Sequence, residues 1–129
     1  MGYWTYFKGE LEIQLKEPNL TDLKTIITQK FNNKDVVIVN ENCLKVDDEW
    51  KDSGLMEDIV LFIQKYGKLY SGTISCNGED SQDVWKIFIS DNKPFIREKG
   101  KFTTLNRSLR KEKYGSSQKS VVEIIEINN

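Results

Sequence analysis

Glu79, Asp80 and Asp83 crowd into one short loop between two strand-like segments, just ahead of Trp85, in the stretch from Tyr70 to Ile89. Hard cations prefer oxygen ligands, so such a set could hold magnesium, manganese or calcium. Two carboxyls in different environments could also divide acid and base roles. Acidic residues flanked by Asn and Gly populate hairpin loops simply because they tolerate turns and water, and no calcium-loop spacing accompanies them. The loop reads first as a turn. Its enzymatic alternative is a metal-dependent phosphoesterase built on Glu79, Asp80 and Asp83.

The second candidate chemistry is anion binding. From Lys93 to Lys119 there are nine Lys or Arg against Glu98 and Glu112, whereas Asn40 to Val60 holds seven acids against Lys45 and Lys51. Arg97, Arg107, Arg110, Lys111 and Lys113 are the best phosphate-binding set, because arginine offers a planar fork to phosphate oxygens. Thr103, Thr104, Ser108, Ser116 and Ser117 could add hydroxyl donors. The formal net charge of −1 does not suit a nonspecific nucleic-acid binder, which is usually strongly basic. A discrete phosphate-bearing ligand or an acidic protein surface fits better.

Aromatic residues supply the third element. Side chains alternate along a strand, so Trp85, Ile87 and Ile89 share one face and read as core, while Lys86 and Phe88 point the other way. By the same parity Trp4 and Tyr6 lie opposite Tyr3 and Phe7. Stacking on rings and pairing with cations is how proteins grip bases. The expected ligand-binding set is therefore Trp4, Tyr6, Lys86, Arg97, Arg107, Arg110 and Lys111.

Other chemistries lack their parts. The chain contains no histidine, so serine nucleophiles lack their common base, and Cys43 and Cys76 alone cannot make the usual zinc ligand sets. No phosphate loop is present. No metal or other cofactor is expected, and the expectation is a non-enzymatic protein. Neither a signal-peptide pattern nor an apolar run near the ~20 residues of a membrane span is found. The expected setting is cytoplasmic, with both cysteines reduced and structural.

The elements that must carry these groups follow from periodicity. The stretch from Gly2 to Glu17 opens with aromatics and then alternates Leu11, Ile13 and Leu15 with Glu12, Gln14 and Lys16 as a half-buried strand, with Gly9 marking a bulge or a close backbone approach. Asn19 or Thr21 caps a helix to about Phe31. Val36–Val39 is a buried strand with Cys43–Val46 as its partner, followed by an acidic surface loop, 47–52, anchored by Trp50. Ser53 or Asp52 caps a helix from Leu55 to Tyr66 that ends at a left-handed Gly67. Strands follow over about 69–77, 84–90 and 95–99, the last two joined by a tight turn at Asp91-Asn92-Lys93. Segment 100–118 reads as a basic, flexible stretch, and Val121–Ile127 as a last strand. One α+β domain over 1–129 results: a mostly antiparallel sheet with two helices packed on one face.

Three stretches carry a resemblance: Gly2-Tyr3 through Thr5 with Gly9-Glu10-Leu11-Glu12-Ile13, the helix ending at Gly67, and Ser71–Asp80 with Asp83-Val84-Trp85-Lys86-Ile87 and Asp91. Together they resemble a family of small actinobacterial and phage proteins of unknown function. The resemblance implies a bacterial or phage setting and carries no activity with it. The expected function is a binding protein, phage- or mobile-element-encoded, that captures an anionic small molecule such as a nucleotide signal, or a bacterial defence protein, so as to inhibit a defence system. A structural or assembly module, in which exposed strand edges pair between copies as a homo-oligomer, is the remaining alternative.

Overall fold

The computed structural model describes residues 3–31, 37–51 and 54–114. The expected strand at Val121–Ile127, the caps at Asp52 and Ser53, and Gly115–Gln118 lie outside the described residues.

Seven strands form one sheet in the order β2-β3-β1-β4-β5-β6-β7, every neighbouring pair antiparallel. They are β1 (Thr5–Leu15), β2 (Val37–Val39), β3 (Cys43–Trp50), β4 (Gly67–Gly78), β5 (Val84–Ser90), β6 (Lys93–Glu98) and β7 (Lys101–Thr104). The helices are α1 (Asn19–Phe31), α2 (Leu55–Tyr66) and α3 (Leu109–Tyr114). Among the described residues no helix is long and apolar enough to cross a membrane.

The sheet has one dry face and one wet face, as antiparallel sheets allow. Phe7, Leu11, Ile13 and Leu15 of β1, Leu44, Val46 and Trp50 of β3, and Trp85 and Ile87 of β5 are all buried on the inner face. Against them lies α2, whose Leu55, Met56, Ile59, Val60, Phe62 and Ile63 are buried. Leu20, Leu23 and Ile27 of α1 join the same core. Burying each such side chain contributes ~1.5–3 kcal/mol, so this shared apolar layer is what fixes the register of the strands.

Two glycines let β1 and β4 approach. Gly9 has φ +153°, and a Cβ there would lie 2.2 Å from the Thr73 carbonyl oxygen; at Gly72, φ +121°, it would lie 2.4 Å from that of Glu10. The close-approach reading of Gly9 is the correct one; the register shift lies elsewhere, between Glu12 and Ile13.

Four expectations need correction. The acidic stretch after Val46 is not all loop: Asp47–Trp50 continue β3, pairing with Thr5–Lys8, because Trp50 is buried against Phe7 with ring centroids 4.5 Å apart. Gly67 is extended (φ −157°) and starts β4 directly, so α2 ends without a left-handed cap. Segment 100–118 contains β7 and α3 within its described part. The helices therefore number three rather than two among the described residues. The Asp91-Asn92 turn is as expected, both residues at positive φ (53° and 64°) as a two-residue hairpin of matching twist requires.

Candidate functional site

The expected site residues separate onto the two faces of the sheet. On the inner face, Trp85 of β5 lies directly opposite Glu98 of β6, and α3 lowers Arg110 between them. The Arg110 guanidinium carbon is 3.4 Å from the Trp85 ring centroid. Its Nη1 donates to Asp83 Oδ1 at 2.8 Å, and its Nη2 meets Glu98 Oε2 at 2.7 Å. Arg110 is 2 % exposed. Burial alone would lower its pKa, but the Glu98 and Asp83 carboxylates reverse this and hold it above the ordinary arginine value. Arg110 thus grips the chain's own carboxylates rather than offering an open fork to a ligand.

The other basic residues of this segment divide similarly. Lys111 reaches from α3 to the buried Asp58 of α2, Nζ to Oδ2 2.5 Å. Arg107, well exposed in the β7–α3 loop, pairs with Glu112 at 3.2 Å. Lys113 lies 3.5 Å from Glu98 and 3.7 Å from Asp83. The start of α3 is held by Glu57, whose Oε1 accepts from the backbone N–H groups of Leu109 (2.6 Å) and Arg110 (3.4 Å). Burial pushes the Glu57 carboxyl up to about 7, against the downward pull of those two N–H groups and of Arg110. These contacts clamp a six-residue helix that propensity alone would not sustain.

The acidic loop does not assemble a metal centre. Asp83 turns inward, accepting from Tyr3 Oη at 2.7 Å as well as from Arg110. Asp80 closes its own turn, its Oδ1 accepting from the Gln82 N–H at 2.9 Å and its carbonyl from the Asp83 N–H at 2.8 Å. Glu79 is exposed. Among the described residues no group of three or more His, Cys, Asp or Glu is placed to hold a metal ion. The alternative trio does not converge, since Asp83 is turned inward onto Arg110.

The outer face carries a different arrangement. The pairing register lines up Ser75, Lys86, Arg97 and Phe102 in one row across β4 to β7. The adjacent row is Thr73, Phe88, Phe95 and Thr104. Phe88 and Phe95 have centroids 5.6 Å apart and planes 21° from parallel; Phe102 meets Phe88 edge-on at 5.6 Å. Phe102 is 62 % exposed, and the Arg97 guanidinium lies 5.3 Å from its centroid. Among the described residues neither Lys86 nor Arg97 has a carboxylate within ion-pair distance. Two half-buried rings, the exposed Phe102 with Arg97 over it, and Lys86 therefore share the outer face, an arrangement suited to flat, negatively charged ligands.

Of the expected ligand set, Lys86 and Arg97 are brought together here. Trp4 and Tyr6 are not: Tyr6 lies on β1, with β4 and β5 between it and Arg97. The Tyr6 hydroxyl is bonded to Asp47, whose acceptance of that bond raises the Tyr6 pKa. Trp4 stacks under Lys51, 5.2 Å from its ring. Phe95 and Phe102 were absent from the sequence-derived set. The signal for Phe95 is the two-residue period that places it beside Phe88 once the Asp91-Asn92 hairpin fixes the register; Phe102 is placed by the β6–β7 pairing.

No protein-family model matches the chain, and neither a curated protein nor a solved structure does so.

Proposed function

We propose that this chain is a non-enzymatic binding protein that takes a nucleotide on the outer face of β5, β6 and β7. The observation that carries the reading is the coincidence of Phe88, Phe95 and Phe102 with Lys86 and Arg97 on one solvent-facing patch. Phe102 is well exposed and Phe88 and Phe95 are half-buried beside it, so the cluster leaves ring surface in water that a partner would cover. Rings accept the π-face of a base, and the two cations neutralise phosphate. The non-enzymatic part rests on the missing histidine and on the commitment of Asp83 and Arg110 to each other. Sequestering a nucleotide signal would be the means by which such a protein blunts a bacterial defence system.

Isothermal titration with a panel of nucleoside mono- and diphosphates tests the reading. Binding that is lost in the Lys86→Gln, Arg97→Gln double variant supports it. Equal heats for wild type and variant would place the ligand elsewhere, and no heat for any nucleotide or short oligonucleotide would overturn it.

A further inference from the structure

Resting on that nucleotide reading, we infer that the patch takes a short single-stranded oligonucleotide of two or three nucleotides, neither a lone nucleotide in a pocket nor a long strand.

The first ground is shape. The patch is a face of the sheet, and two cavities of about 280 and 290 Å³ are lined by other residues, Lys8, Gly9 and Asp47 among those of one and Gln64, Tyr70 and Asn92 among those of the other. A single nucleotide on a flat face has only one ring to stack against and nothing to enclose it. The well-exposed Phe102 and the half-buried Phe88 and Phe95, on three adjacent strands, offer ring surface to more than one base, each base–ring contact contributing ~1–3 kcal/mol. Three strands at a spacing of ~4.8 Å make a patch roughly 10 Å across. Bases that each meet a ring of a different strand are spread by about one strand spacing, ~4.8 Å, so a patch three strands wide has room for two or three nucleotides.

The second ground is charge. The outward positions of β5 to β7 carry Lys86, Lys93 and Arg97 and no acid. Beyond β4 the same face changes sign: Glu10 and Glu12 of β1 and Asp47 and Glu49 of β3 outnumber Lys8 and Lys45. Exposed Glu79 and Asp80 close one end of β5, and Asp91 closes the other. A polyanion extended across the sheet would lay its next phosphates against these carboxylates, where like charges repel. The cationic field therefore covers a few phosphates and then stops.

The test is a length series. 5′-Phosphorylated oligo(dT) and oligo(U) of one, two, three, six and twelve residues are titrated against the full chain, with affinities corrected for the number of binding registers. The expected result is a gain of about tenfold or more between one and three residues, from added stacking, and no further gain to twelve. The dependence of log K on log salt should have a slope near −2, from about three phosphates at roughly 0.7 each, and stay constant beyond three residues. Replacing Glu10 and Glu12 by Lys should let affinity and salt slope climb on to six residues. Wild-type affinity that rises steadily to twelve residues, or that is already complete at one, would overturn the length limit while leaving nucleotide binding intact. No binding at any length would overturn both.

Discussion

Arg110 and Trp85 face each other in the interior, guanidinium carbon 3.4 Å from the ring centroid, with Asp83 and Glu98 closing the sides of the guanidinium. A charge so enclosed is tolerated only because both carboxylates and the ring replace its water. Replacing it with Met would leave Asp83 and Glu98 beside an apolar group, with Tyr3 on Asp83 and the half-exposed Lys113 as their remaining partners. Removing one partner from a buried pair costs ~3–5 kcal/mol, so Arg110→Met should lower Tm by roughly 10 °C or more for a domain of this size. Adding Asp83→Asn should recover part of the loss, since one stranded charge is then removed. Denaturant unfolding of the two single variants and the double variant measures the coupling. A loss below about 1 kcal/mol for Arg110→Met would mean the pairs behave as exposed ones.

Glu57 gives the fold a pH dependence. Its carboxyl titrates near 7 in the folded chain against an ordinary value of 4.5. Below the ordinary value the group is neutral in both states, and its contribution is fully present. As pH rises from about 4.5 to about 7 the unfolded chain releases this proton while the folded chain keeps it, so stability falls through that window. At about 1.4 kcal/mol per pKa unit the loss is roughly 3 kcal/mol. Glu57→Gln stays neutral throughout. The stability difference between wild type and Glu57→Gln should therefore shift against wild type by that amount from pH 4.5 to 7.5. A difference independent of pH would sink the assignment.

The distance over which each element is decided explains what the sequence disclosed. The helix α2 was legible to both ends because Leu55, Ile59, Phe62 and Ile63 recur with helical period inside the element itself. The β5–β6 hairpin was legible for the same local reason, in Asp91 and Asn92. The helix α3 was not: its six residues hold few apolar groups, and its supports, Glu57, Asp58, Asp83 and Glu98, come from 12 to 53 positions away. The strand β7 carries no alternation, since all four of its residues are exposed. Arg110 looked like a surface cation because charge is visible in a sequence and its burial partners are not. Alternation puts Phe88 on the face away from Trp85, the hairpin register adds Phe95 to it, and Phe102 joins only through the pairing of β6 with β7, an element with no alternation of its own.

The two thiols should differ in reactivity. Cys76 is fully buried, and burial, with Glu57 nearby, drives its pKa well above the ordinary thiol value. Cys43 is partly exposed, raised chiefly by burial and then by Glu10. Only thiolate attacks a disulfide reagent. In the native protein at pH 8 one thiol should react with an aromatic disulfide, more slowly than free cysteine, and Cys43→Ser should abolish that phase. Both should react at once in denaturant. Native labelling of Cys76 at the rate of Cys43 would contradict the buried placement.

Phe102 allows binding and folding to be separated. It lies on the edge strand β7, 62 % exposed, touching Phe88 edge-on and Arg97 through its face. Surface substitutions of this kind change stability by about 0.5 kcal/mol or less, so Phe102→Ala should melt within about 2 °C of wild type. Loss of one stacking ring costs ~1–3 kcal/mol of binding, which is a weakening of roughly 5- to 150-fold for a trinucleotide. The paired measurement is a thermal melt and a titration on the same preparation. Arg97→Gln should weaken binding too and reduce the salt slope by about 0.7, whereas Phe102→Ala should leave that slope unchanged. If both variants altered the slope alike, the ring and the cation would not be acting on different parts of the ligand, and a base-on-ring, phosphate-on-arginine division of labour would be wrong.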